Sequence, residues 1–417
     1  MSAPLLVLAG TIVTCDTDAP QNGVTFEDLN TIRDGALLCS GGTIDAIGPR
    51  ADIEPLVNAA RERYRIDVAD FRDCILVPGF VDAHAHPLFA GDREADFAAR
   101  VAGQKPPLGM LYTVERTREA LDDEGAFERT ILSRLSAIAA HGTTTLETKT
   151  GYALHKPGEM QLLDLIARCN DDAQLPGTRV LPRLIATFLG AHTLPPEFST
   201  EKDYVDYLID QCLPFAKAHG AVYADAFCEP GFFSPGQTRR YLEAARANGL
   251  RLRVHCDEMQ YGGAAGMAVV TGVDAVDHCN CIREADVRAI AQSGTITVAC
   301  PATIAYLDLP QRTPVRDLLQ AGGCVALGSD YNPGTSPCFN LQTVAYFGRA
   351  LFGLTAAEAL YGVTIAAAAS LHANAGVLRS GGPADFVALE LDSPSQFGWT
   401  FGGNLARSVY VAGRRAE

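Results

Sequence analysis

His84 and His86 stand one residue apart in Phe80-Val81-Asp82-Ala83-His84-Ala85-His86, directly after the apolar run Cys74-Ile75-Leu76-Val77-Pro78-Gly79. On a strand, residues i and i+2 point to the same side, so two imidazoles at its end face one point in space. Neutral imidazoles so placed make half of a metal site, with the remaining ligands supplied from elsewhere. An isolated H-x-H is equally compatible with two packed histidines. Three further residues of the right type separate the two readings: His255 in Val254-His255-Cys256-Asp257-Glu258, His278 in Asp277-His278, and Asp330 in Gly328-Ser329-Asp330. Three histidines and one aspartate drawn from this set would hold a single divalent metal and leave room for a water.

The elements that must bring these residues together are an alternation of strands and helices. Apolar strand-like runs recur at 74–84, 143–147, 180–188, 222–228, 250–255, 275–278, 295–300 and 324–327. Helical stretches between them stop at Gly142, Gly220, Gly249, Gly294 and Gly322, where glycine is the expected C-terminal cap. This pattern predicts an α/β fold, a (β/α)8 TIM barrel. A doubly wound sheet also alternates, but no Gly-rich phosphate loop follows the first strand. Chemistry on a barrel belongs at the C-terminal strand ends, which is where the five candidate ligands fall. Strand-like segments at 5–13, 36–47, 384–391 and 408–412 predict a small β-sandwich domain built from both chain ends. The expected division is 1–66 with 375–417 for that domain, and 67–374 for the barrel.

Composition narrows the function classes. The chain has 417 residues, 47% of them hydrophobic, and a net charge of -15, which disfavours a nucleic-acid surface. No run approaches the ~20 apolar residues of a membrane span, so no membrane partner is expected. Met1–Gly10 lacks a basic start, so no signal peptide is expected. Among the twelve cysteines, Cys74, Cys300 and Cys324 sit in apolar stretches, as reduced thiols of a cytoplasmic protein do. Cys279 and Cys281 form a lone C-x-C, insufficient for a cysteine zinc site.

Several motifs also carry a resemblance. H-x-H followed by His, His and Asp on later strands resembles the amidohydrolase superfamily. Phe89-Ala90-Gly91-Asp92-Arg93, Glu147-Thr148-Lys149-Thr150-Gly151-Tyr152, Phe188-Leu189-Gly190-Ala191-His192, Phe227-Cys228-Glu229 and Asp330-Tyr331-Asn332-Pro333-Gly334-Thr335-Ser336-Pro337 are similar to the imidazolonepropionase family within it. That family opens 4-imidazolone-5-propanoate to N-formimidoyl-L-glutamate in histidine degradation. The resemblance implies one divalent metal per chain, zinc or iron, on His84, His86, His255 and Asp330. It implies that Arg93 grips the substrate carboxylate, with Tyr152, His192, Asn332, Gly334 and Thr335 lining the ring and its arm. Glu258, His278 and Asp330 are implied as the catalytic groups: Asp330 as base, His278 on the carbonyl oxygen, Glu258 on the water or ring nitrogen. A homodimer acting on a small carboxylate-bearing ring follows from the same likeness. Lys149 sits in a motif matching the one-metal members, so a bridging carbamate is not expected there.

One stretch departs from the family. Val101–Leu111 is shorter than usual and lacks a tyrosine that belongs to the family's pocket. Either Tyr112 fills that place from another direction or the pocket is wider. Cys256 and Cys300-Pro301-Ala302-Thr303 also differ from the commonest family sequences. The alternatives are therefore an amidohydrolase acting on a hydantoin or thiohydantoin propanoate, a deaminase with the same ligands, or a scaffold without activity.

Overall fold

The strand-like runs of the middle fold as strands buried along nearly their whole length, as a parallel sheet covered by helices requires. The computed structural model describes residues 3–174 and 177–416. Phe80–Asp82, Thr143–Lys149, Arg183–Ala191, Tyr223–Cys228, Arg251–Cys256, Ala275–His278, Ile296–Ala299 and Val325–Leu327 pair in chain order into an eight-stranded parallel sheet. The first and last strands meet just beyond their ends. Asp330 N donates to His84 O at 2.8 Å, His86 N donates to Tyr331 O at 3.0 Å, and Ala85 bridges Tyr331 in parallel. The seam of the barrel is thus zipped by the backbone of three candidate ligands. Gly142, Gly220, Gly249, Gly294 and Gly322 all take positive φ, from 76° to 104°, as helix-ending glycines do.

The two chain ends meet in a seven-stranded mixed sheet. Its order runs Arg414–Arg415, Ala406–Val411, Phe386–Leu389, Asp67–Pro78, Leu5–Val13, Thr31–Ser40, Thr43–Pro49. The far edge returns to the segment before Phe386: Ile44 N donates to Gly382 O, and Ala384 N to Gly42 O, both at 2.9 Å. The folded-over sheet encloses Val7, Leu37, Ile44, Leu76 and Phe386, and Phe386 stacks on Tyr410 at 4.5 Å.

The sequence reading carries 74–84 as one barrel strand, and the structure divides it. Residues 67–78 pair in the terminal sheet, and only Phe80–Asp82 enter the barrel. Gly79 is the joint. A Cβ there would stand 2.1 Å from Thr144 Oγ1, so the chain passes from sheet to barrel where only glycine fits.

Candidate active site

Ring nitrogens and one carboxylate oxygen converge at the barrel mouth. His84 Nε2 stands 3.2 Å from His86 Nε2, which stands 3.4 Å from His255 Nε2. Asp330 Oδ1 lies 3.5 Å from His84 Nε2 and 3.4 Å from His86 Nε2. All four residues are buried. His84 Nδ1 faces Asp277 Oδ2 at 2.9 Å, and His255 Nδ1 faces Asp225 Oδ1 at 3.1 Å. A carboxylate behind a ring assigns the proton to Nδ1 and leaves the Nε2 lone pair forward. Lone pairs facing one another at this range repel unless positive charge lies between them. Ligands about 2.1 Å from a tetrahedral cation stand about 3.4 Å apart, which is the spacing here. The residues fit a divalent metal.

The charge beneath the histidines agrees. Lys149 Nζ lies 2.7 Å from Glu147 Oε1, 2.6 Å from Asp225 Oδ2 and 3.5 Å from Asp277 Oδ2. Arg253 Nη2 donates to Asp277 Oδ1 at 2.9 Å and to Ala83 O at 2.8 Å. These side chains have no solvent exposure, and such a buried cluster is held only by its mutual pairing. Three carboxylates against two cations leave negative charge under the donors, which a divalent cation offsets. His84 responds to the same field. Burial opposes charging its ring and Lys149 adds to that, yet Asp277 and Asp330 raise its pKa to about 9. Lys149 is held as ammonium: burial opposes its charge, but Asp225, Glu147 and Asp277 raise its pKa. An amine so engaged is not free to become a carbamate.

A cavity of about 300 Å³ opens above this floor, lined by His86, Arg93, Tyr152, His192, His255, Glu258, His278, Asp330, Asn332 and Thr335. The sequence-derived candidates are thus brought to one place, although His84 and Gly334 are not among the residues that line the cavity. Gly334 N donates to Asn332 Oδ1 at 2.8 Å. A Cβ on Gly334 would stand 2.2 Å from Arg93 Nη1, so its smallness makes room for the guanidinium. His192 stacks on His86 at 5.3 Å, its Nδ1 3.0 Å from Gly151 O; burial pushes its pKa down to about 3, so the ring is neutral. Burial likewise takes His278 down to about 4. Glu258 Oε1 lies 3.7 Å from His278 Nδ1, and burial, Asp330 and Glu229 push its pKa well above the usual carboxylate value. Asp330 goes the other way. Burial raises its pKa, but His84 and His86 outweigh that and hold it well down. Asp257, His278, Cys279 and Asp330 all take positive φ, from 46° to 66°, a concentration of uncommon backbone typical of functional sites.

The amidohydrolase family matches residues 75–415. The imidazolonepropionase of Ralstonia nicotianae is 37% identical over 396 residues, covering 93% of each chain. That of Solibacter usitatus is 36% identical over 406 residues, covering 95% of this chain and 94% of its own. The chain belongs to the imidazolonepropionase family. It is a metal-dependent amidohydrolase. Escherichia coli guanine deaminase has the same fold, with a TM-score of 0.70 at 18% identity, covering 100% and 99% of the two chains. So does an adenosine deaminase from Xanthomonas campestris solved with bound zinc, at TM-score 0.66 and 19% identity, covering 99% and 92%.

This member of the imidazolonepropionase family also uses residues that the sequence left without a role. Glu229 accepts three successive backbone N–H groups, from Glu258 at 2.8 Å, Met259 at 3.1 Å and Gln260 at 2.7 Å. It clamps the loop that carries Glu258. Thr303, in the segment noted as unlike the family, donates its hydroxyl to Asp330 Oδ2 at 2.7 Å. Asp225 was detectable only as a charge inside an apolar strand run. The short segment also resolves. Gly109 and Met110 line the cavity, whereas Tyr112 lines a separate outer groove with Leu108 and Arg118. Tyr112 does not take the place of the absent tyrosine. His141 Nδ1 meets Ala137 O at 2.8 Å, while His219 and His372 pair with Asp164 and Asp274 at 2.7 and 2.9 Å.

Proposed function

We propose that the protein hydrolyses the cyclic amide of 4-imidazolone-5-propanoate to N-formimidoyl-L-glutamate, with one zinc or iron ion on His84, His86, His255 and Asp330. The observation that carries this reading is the meeting of those four donors on the floor of a cavity whose wall holds Arg93. A divalent metal bound there supplies Lewis acidity towards water and towards the ring carbonyl.

The residues divide the work by position. Arg93 pairs with the propanoate, its planar fork matched to a carboxylate. Tyr152, His192, Asn332 and Thr335 bound the ring, and Gly334 keeps the arginine's place open. Asp330 turns Oδ1 towards the histidines, leaving Oδ2, held by Thr303, to accept a proton from the attacking water. Water oxygen adds to the ring carbonyl carbon, and His278 donates a hydrogen bond to the oxygen on which charge develops. The carbonyl carbon–ring nitrogen bond then breaks. The nitrogen takes a proton from Glu258, whose affinity for a proton is raised by burial and by Asp330 and Glu229, and the carbonyl carbon ends as the second carboxylate of the product. Arg93 on the wall favours a carboxylate-bearing ring over the bases that deaminases take.

The short segment, which brings Gly109 and Met110 and no tyrosine to the cavity, supports a second substrate within the same reading, a hydantoin or thiohydantoin propanoate. Comparing kcat/KM on 4-imidazolone-5-propanoate and hydantoin-5-propanoate tests the choice: the first is expected to lead by more than tenfold, and the reverse order would transfer the assignment. All twelve cysteines are free, which fits a reducing compartment, and we place this activity in the cytoplasm, carried by a homodimer. No helix among the described residues is long and apolar enough to cross a membrane.

A further inference from the structure

Arg93 precedes the helix Glu94–Val101 as its N-cap, and Asp96 is the third residue of that helix. An acidic residue in this position suits the positive end of the helix, and from there it commonly reaches back to the N-cap backbone. Asp96 does something else. Its Oδ2 lies 2.6 Å from both Arg93 Nε and Arg93 Nη2, and accepts Gly109 N at 3.2 Å. Its Oδ1 accepts Leu108 N at 2.8 Å. The side chain has no solvent exposure. One buried carboxylate is therefore saturated by a guanidinium on one side and by the shortened segment on the other.

The orientation of Arg93 follows. Its Nε–Nη2 edge is committed to Asp96, and its Nη1 is packed where Gly334 has no Cβ. With these atoms held, the guanidinium is fixed where it lines the cavity. The same carboxylate fixes Leu108 and Gly109, and so brings Gly109 and Met110 to the cavity wall. We infer that Asp96 is the positioning residue that aims Arg93 at the substrate's carboxylate arm and anchors the short segment against it. This deepens the functional reading above and rests on it.

The probes are imidazole-4-propanoate, a stable ring with the same arm, and its methyl ester, titrated calorimetrically into the metal-loaded full chain. Wild type is expected to bind the acid at least about tenfold more tightly than the ester, as a charge-assisted pair gives. Asp96→Asn is expected to bring the two within about threefold, and Arg93→Ala with Asp96→Asn to be no weaker than Arg93→Ala alone, because the two act as one unit. If Asp96→Asn does not fold, Asp96→Glu, which keeps the charge but displaces the fork by a methylene, is expected to reduce the preference likewise. Full acid preference in a folded Asp96 variant, or additive losses in the double variant, would overturn the role of Asp96 and leave the functional reading standing. A wild type that binds acid and ester equally would overturn the carboxylate pocket, and this inference with it.

Discussion

Lys149 Nζ lies 2.6 Å from Asp225 Oδ2, and the other oxygen of that carboxylate lies 3.1 Å from His255 Nδ1. The group that fixes a candidate ligand's tautomer is thus itself held by a lysine two strands away. Lys149→Met leaves three buried carboxylates without their ammonium. It is expected to cost about 3–5 kcal/mol in urea unfolding and to weaken metal binding roughly 10–100-fold in chelator competition. Unchanged metal affinity would detach the lysine from the site.

Gly334 and Arg93 make a second testable contact. A methyl group at 334 would stand 2.2 Å from Nη1, so Gly334→Ala must displace the guanidinium. Steady-state kinetics should show KM for the carboxylate substrate raised about tenfold or more, with kcat changed far less. An equal fall in kcat with KM unchanged would mean that the contact serves the chemical step.

Asp330 is assigned two tasks, one for each oxygen. Asp330→Asn keeps a carbonyl oxygen for Thr303 and the fold of the loop, but offers no base. Turnover is expected to drop by at least about 10²-fold, the scale of general-base catalysis. A variant that still turns over near the wild-type rate, assayed with measured metal content, would remove Asp330 as the base.

Acid should loosen the short segment through Asp96. Burial raises its pKa, but the N–H groups of Leu108 and Gly109 and the Arg93 guanidinium outweigh that, so the folded value lies below the ordinary one. Between the two values the unfolded chain binds more protons than the folded one. The contribution to stability is therefore complete above pH about 3.9 and is lost as pH falls through the folded value. Urea unfolding of wild type and Asp96→Asn from pH 6 to pH 3 is expected to show a stability gap that narrows as pH falls below about 3.9. A gap independent of pH would mean that the carboxylate's charge is not what matters.

Much of this was legible in the chain. Strand runs that each follow a helix-ending glycine, at 142, 220, 249, 294 and 322, mark the barrel because a helix end and a buried parallel strand each leave a local signature. His84, His86, His255, His278 and Asp330 stand out because they are polar residues closing apolar strands. What was hidden depends on contacts between distant segments. Gly79 reads as part of a strand until Thr144 is seen against it. Lys149 and Arg253 look like ordinary charges until the barrel encloses them. Glu229 declares its role only when the 258–260 backbone turns its N–H groups onto it. The direction in which Tyr112 faces was not readable, because loop 102–109 takes its course from Asp96.

The most direct measurement is turnover of freshly generated 4-imidazolone-5-propanoate, followed by loss of its ultraviolet absorbance, on protein stripped by chelator and then restored with zinc or iron. Absorbance loss that vanishes on stripping, returns at one metal per chain and yields N-formimidoyl-L-glutamate is the predicted result. No loss with the metal fully restored would contradict the assigned substrate.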